Sequence, residues 1–229
     1  MKILKNLEIV DLGLSYKDIL IIGDLHLGLE GSLDGEGLVL PLHHVDIIIK
    51  RLNNIIRKIK PKVIIVNGDV KEEFGRISKQ EWKDFSRFVD FLKDKAELIF
   101  IKGNHDVILE PIARKFDIEV RARYDIDDAT IIHGDAILKN LRKNVIISHE
   151  HPAISFSEKP GELFKCFLVD KYKKHNLVVL PSFNPLFEGS DITRERLLSP
   201  FLKDLGNFDV YIVQARVYHF GKFKKIQKL

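Results

Sequence analysis

The sequence predicts an α/β fold, and three observations carry that prediction. Apolar runs of strand length recur at 19–22, 63–66, 97–101, 129–132, 145–147, 163–169, 177–180 and 209–213. Between the first three lie two stretches whose apolar residues fall three and four apart, the spacing of one helix face. Beyond about residue 120 the runs crowd together with short turns, leaving room for strands but little for helices.

Taken in order, the first run, from Ile19 to Ile22, reads as a buried strand that stops at Gly23. In the stretch 45–59, Val45, Ile48, Ile49, Leu52, Ile55, Ile56 and Ile59 form a helical stripe. Val63–Val66 is the next strand. Over 79–93, Trp82, Phe85, Phe88, Val89 and Leu92 repeat the helical spacing, with Ser78 placed as its N-cap. The strand at 97–101 completes an alternation that implies parallel βαβ units with right-handed crossovers. The later runs predict a second, mostly antiparallel set, closed by strands near 209–213 and 216–220. No repeat, low-complexity tract or linker interrupts the chain, so residues 1–229 are expected to form a single domain. Two irregular loops stand out, 28–43 and the Pro-, Gly- and Asn-rich 181–195, and long loops at strand ends often carry function.

Composition narrows the class. With 45% hydrophobic and 31% charged residues the chain is a globular protein rather than a disordered one. No apolar run is long enough to span a bilayer, so no membrane partner is expected. The N-terminus has early acidic residues and no small-residue cleavage site, which makes a cytoplasmic location the expectation. The one cysteine, Cys166, excludes an internal disulfide and a cysteine-rich metal site, and its apolar surroundings predict a buried, inert thiol. The formal charge of +4, with pI near 9.0, is compatible with a polyanionic substrate without requiring one.

The ends of the apolar runs carry the chemistry. Ile19–Ile22 leads into Gly23-Asp24-Leu25-His26, and Val63–Val66 into Asn67-Gly68-Asp69. Leu98–Ile101 leads into Gly103-Asn104-His105-Asp106, Ile131–Ile132 into His133-Gly134-Asp135, and Ile146–Ile147 into Ser148-His149-Glu150-His151. In open α/β sheets, sites form at the carboxyl ends of strands. If these segments stay extended, residues two apart face the same way, so Asp24 with His26 and His149 with His151 should converge. Asp24, His26, Asp69, Asn104, His133, His149 and His151 offer carboxylates, an amide carbonyl and imidazoles without thiolate. That donor set suits divalent ions such as manganese, iron or zinc, and it exceeds what one tetrahedral ion needs.

The series GDLHLG, NGDV, GNHD, HGD and SHEHP, over residues 19 to 152, resembles the calcineurin-like metallophosphoesterase superfamily in order and spacing. The later LPSFNPLFEGSDI resembles a stretch of one subgroup, the ligase-associated DNA-repair phosphoesterases and archaeal relatives of the repair exonucleases. The resemblance implies a sandwich of two mixed β-sheets flanked by helices, in four layers α/β/β/α. It implies two divalent metal ions, manganese foremost, with iron, zinc or nickel as alternatives. Asp24, His26 and His151 would hold the first, Asn104, His133 and His149 the second, and Asp69 would bridge them. His105 would serve the leaving group, with Asp106 orienting it. One departure shows: Ser148 stands where the family's Gly-His-x-His has glycine, and both ligands survive it.

A shared hydroxide attacking phosphorus in line would then hydrolyse a phosphodiester. The leading expectation is a nuclease on DNA or RNA, linked to repair; the alternative is a phosphodiesterase or phosphatase on a small nucleotide or cyclic nucleotide. A single-metal hydrolase and a non-enzymatic scaffold are the remaining readings. Lys71, Arg76, Lys102, Arg142, Lys143 and Arg194 are candidate substrate contacts, although charged residues are mostly exposed and a solvated surface is the commoner reading. Phe183, Phe187 and the 28–43 loop are candidates for a wall on which bases stack, or for a buried patch. His43 and His44 are candidates for specificity, His175 and His219 for structural or surface roles. A homo-oligomer is possible through edge strands.

Overall fold

The computed structural model describes residues 1–28, 44–73 and 75–226. Two mixed sheets pack face to face. The first is ordered β1 (Lys2–Leu4), β2 (Leu7–Val10), β3 (Gly13–Tyr16), β4 (Ile19–Gly23), β5 (Val63–Asn67), β6 (Glu97–Ile101) and β7 (Glu119–Arg121). From β4 to β7 every pairing is parallel, as the βαβ reading requires. The antiparallel meander β1–β3 is not visible in the sequence. Its strands are only three or four residues long, and left-handed residues at Asn6, Asp11 and Lys17 fold them tightly.

Helix α1 (His44–Ile59) follows β4 and helix α2 (Lys79–Leu92) follows β5. The stripes read from the sequence are the buried faces: Val45, Ile48, Leu52, Ile55 and Ile56 on α1, and Phe85, Phe88, Val89 and Leu92 on α2. Ser78 caps α2, and Glu81 completes a capping box by returning its carboxylate to the Ser78 amide. A short helix α3 (Leu109–Ala113) precedes β7.

The second sheet runs β14 (Ser190–Asp191), β11 (Pro152–Phe156), β12 (Lys159–Tyr172), β13 (His175–Val179), β10 (Asn144–Ile147), β9 (Ala129–Ile131) and β8 (Tyr124–Ile126), with β15 (Asp209–Val213) pairing β12 and β16 (Val217–Lys222) pairing β15. Most of its pairings are antiparallel, as expected, but β9, β10 and β13 are mutually parallel. β9 and β10 are the strands that lead into His133 and His149.

Alternation sorts the second sheet's side chains between two cores. Ile131, Ile146, Phe167 and Val178 face the first sheet and join its large cluster. Val145, Ile147, Cys166, Leu168, Val179 and Val210 face outward, under Phe201, Leu202, Leu205 and Phe208 and under Phe223 and Ile226 of the C-terminal helix α4 (Phe223–Ile226). Among the described residues the fourth layer is therefore a packed loop and one short helix, while the long helices cover the first sheet. Cys166 is buried as expected, and burial pushes its thiol well above the usual range. Hydrogen bonds tie the sheets at both ends: Asn67 Nδ2 to the Ile132 carbonyl at the site end, 2.8 Å, and Tyr16 hydroxyl to Asp128 at the other, 2.7 Å. No helix of the described residues is long and apolar enough to cross a membrane.

Candidate metal centre

The parallel strands β4, β5, β6, β9 and β10 all end at one edge of the sandwich, and the turns leaving them converge there. The means of convergence differs from the expectation. Asp24, His26, Asp69, His149 and His151 have φ of 45°, 44°, 44°, 65° and 50°. They sit in left-handed turns, not on extended backbone, and the turns swing each pair of side chains inward. Two glycines let the turns approach one another. A Cβ on Gly68 would lie 1.9 Å from His133 Nδ1, and one on Gly103 2.2 Å from Asp69 Oδ1.

Two groups of donor atoms that share Asp69 form, beside a third made of His26, Glu72 and His105. In the first, one atom each from Asp24, His26, Asp69 and His151 lie within 4.8 Å of one another, and all four residues are buried. Asp24 Oδ2, His26 Nε2 and both ring nitrogens of His151 have no hydrogen-bond partner there. Orphaned polar atoms in a dry interior are costly unless something binds them, so this donor set fits a divalent cation. In the second group, His133 Nε2 lies 3.3 Å from Asp69 Oδ2, 3.0 Å from Asn104 Oδ1 and 3.1 Å from His149 Nδ1. One nitrogen cannot hydrogen-bond all three, and their crowding has the pattern of a shared cation site. Asp69 belongs to both groups. All seven residues picked from the sequence therefore meet.

Electrostatics reflects the crowding. Burial works to lower the His133 pKa, but its bond to Asp69 and the charges of Asp24 and Asp69 raise it to about 9. Burial also opposes the Asp69 shift, yet the His133 partner holds that carboxyl well below its usual range. Burial and the neighbouring His133 charge lower His149.

His133 Nδ1 lies 3.2 Å from Ser148 Oγ, whose hydroxyl donates to the Asn67 carbonyl. The serine that replaces the family's glycine thus accepts from Nδ1 and turns Nε2 toward the cluster.

His105 and Asp106 fall at the same edge. The Asp106 carboxylate accepts from the amides of Gly103, Val70 and Lys71, which stitches the β5 and β6 turns together. Burial and the Asp69 charge raise it to about 6. His105 Nδ1 is held instead by the Glu72 carbonyl at 2.9 Å, and its backbone amide donates to Asp69 Oδ1 at 2.9 Å. Asp106 thus holds the turn that carries His105, while a main-chain acceptor from the β5 turn faces the His105 ring.

Other expectations change too. Lys71 is buried, with Nζ 3.5 Å from Glu81, and is no surface contact. Arg76, Arg142 and Arg194 are exposed and pair with Glu73, Asp125 and Asp191. Lys102 is exposed and lines a cleft of about 260 Å³ beside His133, with Gly103, Asp135 and Leu138. Phe183 is core, but half-buried Phe187 stacks on the His26 ring at 5.2 Å and meets His151 edge-on at 4.7 Å. His44 is buried on α1, His175 and His219 bond Arg142 and Asp209, and the loop positions 29–43, His43 among them, lie outside the described residues.

Two features escaped the sequence. Glu72 Oε2 lies 2.6 Å from His26 Nδ1. The segment 182–184 clamps the β4 turn: Ser182 Oγ donates to the Asp24 carbonyl, 2.9 Å, and Asn184 Nδ2 to those of Leu25 and His26, 2.8 and 3.3 Å. Beneath it, Lys165 Nζ donates to the carbonyls of Ser182 and Asn184, and burial lowers this lysine to about 7. The Asn-Pro composition marks 181–195 as a loop, but nothing local shows what it closes.

A family model for calcineurin-like phosphoesterases matches residues 17–213. The crystal structure of a nuclease from Pseudomonas putida, MPE, superposes with a TM-score of 0.67 at 17% identity, over 92% of each chain. No curated protein sequence matches the chain.

Proposed function

The chain belongs to the calcineurin-like phosphoesterase family and is a metal-dependent phosphoesterase; from that premise we propose that it is a two-metal phosphodiesterase acting on DNA or RNA. The observation that carries the reading is the shared carboxylate: Asp69 is the one acid common to both donor groups. Asp24, His26 and His151 would hold one ion, Asn104, His133 and His149 the other, with Asp69 between them. A pair of divalent ions, manganese foremost, supplies charge neutralisation for the phosphate oxygens and a water of near-neutral pKa.

The chain's own residues do the rest. Asp24 and Asp69 bring negative charge that holds cations at the strand edge. The left-handed turns fix the ligands before substrate arrives, so little reorganisation is left for the reaction. His105, its Nδ1–H committed to the Glu72 carbonyl, would in its doubly protonated form hand the Nε2 proton to the departing oxygen and be left as the neutral Nδ1–H ring. Asp106 keeps the loop that carries it in place. Phe187 shields the His26 and His151 rings from water.

Nucleic acid as substrate is supported by the neighbour from Pseudomonas putida, which is a nuclease, by the pI of about 9.0, and by the half-buried Phe187 ring beside the site. One observation favours a second reading, a small nucleotide or cyclic diester. Among the six basic loop residues, Lys71 is buried and three arginines are paired, which thins the track a polyanion would follow.

The test is a panel of oligonucleotides, cyclic nucleotides and monoesters offered to manganese-loaded protein, with Asp69→Asn as control. Wild type is expected to cleave DNA or RNA, and Asp69→Asn to lose at least about 10²–10³-fold, the scale of removing one key electrostatic group. Hydrolysis of a chromogenic diester with no cleavage of any nucleic acid would transfer the assignment to the small-substrate reading.

A further inference from the structure

We propose that Glu72 is the positioning residue of the centre, fixing the ring orientation of His26 through its side chain and of His105 through its main chain. The inference rests on the metal reading above and deepens it. Glu72 stands three residues beyond Asp69, in the turn after β5, and its two acceptors face two different imidazoles. Its carboxylate Oε2 is 2.6 Å from His26 Nδ1, and its carbonyl oxygen is 2.9 Å from His105 Nδ1. A carboxylate and a carbonyl only accept, so both rings carry their proton on Nδ1. In each ring that leaves Nε2 as the functional nitrogen. For His26 this is the atom without a partner in the first donor group. A carboxylate behind a ligating imidazole fixes its tautomer and strengthens it as a donor.

Glu72 is itself held. Its backbone amide and that of Glu73 donate to Glu81 Oε1, 2.9 and 3.1 Å, while Glu81 Oε2 accepts from the Ser78 amide, 3.3 Å. Glu81 is buried and faces the Lys71 ammonium at 3.5 Å. The capping box that starts α2 is thus also the anchor of the turn bearing Glu72. Main-chain bonds add to it: Leu27 N donates to the Val70 carbonyl, 3.0 Å, and Glu72 N to the Leu27 carbonyl, 3.1 Å. The β4 and β5 turns are therefore joined, and Glu72, on the β5 turn, reaches the imidazoles of His26 on the β4 turn and His105 on the β6 turn.

The experiment compares wild type, Glu72→Ala and Glu72→Gln. Glutamine keeps an acceptor at the side chain, and both variants keep the carbonyl to His105. In metal-free protein, ¹⁵N-resolved NMR of the His26 ring should show the Nδ1–H tautomer in wild type and Glu72→Gln, and its loss in Glu72→Ala. Titration with Mn²⁺ by calorimetry should show binding weakened about 10–100-fold in Glu72→Ala, the range for losing such a partner, with most of it restored in Glu72→Gln. Because His105 keeps its carbonyl, kcat at saturating metal should fall less than metal affinity does. An unchanged His26 tautomer together with unchanged Mn²⁺ affinity in Glu72→Ala overturns the inference while the metal reading stands. Wild type that shows the tautomer yet binds no ion overturns the metal reading and the ligand half of this inference, and leaves the orientation half supported.

Discussion

At His133 a buried imidazole is flanked by Asp24 and Asp69, and its pKa of about 9 makes it a cation at neutral pH when no ion is bound. A ligand nitrogen must give up that proton. Ion uptake near pH 7 is therefore expected to release about one proton and to tighten as pH rises toward 9; calorimetry in buffers of different ionisation enthalpy reads it directly. The sign for stability is opposite. A raised imidazole pKa stabilises the ion-free fold fully below about 6.5, and that contribution fades as pH rises through about 9. Proton-neutral uptake at pH 7 would contradict the picture. The residue types of this centre were legible, because carboxylates and imidazoles after five strands have few other uses. Their backbone was not: Asp24, His26, Asp69, His149 and His151 are left-handed, a conformation that Asp and His enter more readily than most side chains but that the spacing of the motifs does not announce. Lys71 was misjudged and Glu72 missed for a related reason. Adjacent in sequence, one turns to His26 and the other to Glu81, and only the turn decides which.

Strained turns persist only if their surroundings over-determine them, and here the element that does so is the segment after β13. Phe183 N donates to the Gly23 carbonyl at 2.8 Å, and Ser182 and Asn184 hold the next three carbonyls. Asn184→Ala leaves the buried Leu25 and His26 carbonyls without that donor. Expected is a loss of about 1–3 kcal/mol, or roughly 2–12 °C in Tm for a chain this size, along with weaker ion binding; thermal melts with and without Mn²⁺ measure both. A melt and an affinity both equal to wild type would show the clamp to be idle. The helices α1 and α2 were legible because each lays one periodic stripe on one sheet. The strands of the first meander and the clamp were not, since their partners are set by hydrogen bonding at a distance: Asn184 lies 159 residues from Leu25.

Across the whole molecule, the alternating strands of the second sheet divide their side chains between two apolar clusters. The change of character near residue 120 allows a two-sheet body, and the family resemblance implies it. The thin outer cover of Phe201–Phe208 and α4 has no periodic pattern, so sequence spacing could not foretell it. That cover seals the chain's sole thiol, and with it an internal gauge of unfolding. Cys166 Sγ sits fully enclosed on β12, at the seam with β15, with its proton held tightly. A thiol-specific dye should leave native protein unlabelled and take up one equivalent in denaturant. Intermediate rates would then report how often the second sheet opens. Added Mn²⁺ should slow that labelling only if bound ions restrain the far face of the sandwich as well as the edge that holds them, and rapid stoichiometric labelling of native protein would show the seal to be open.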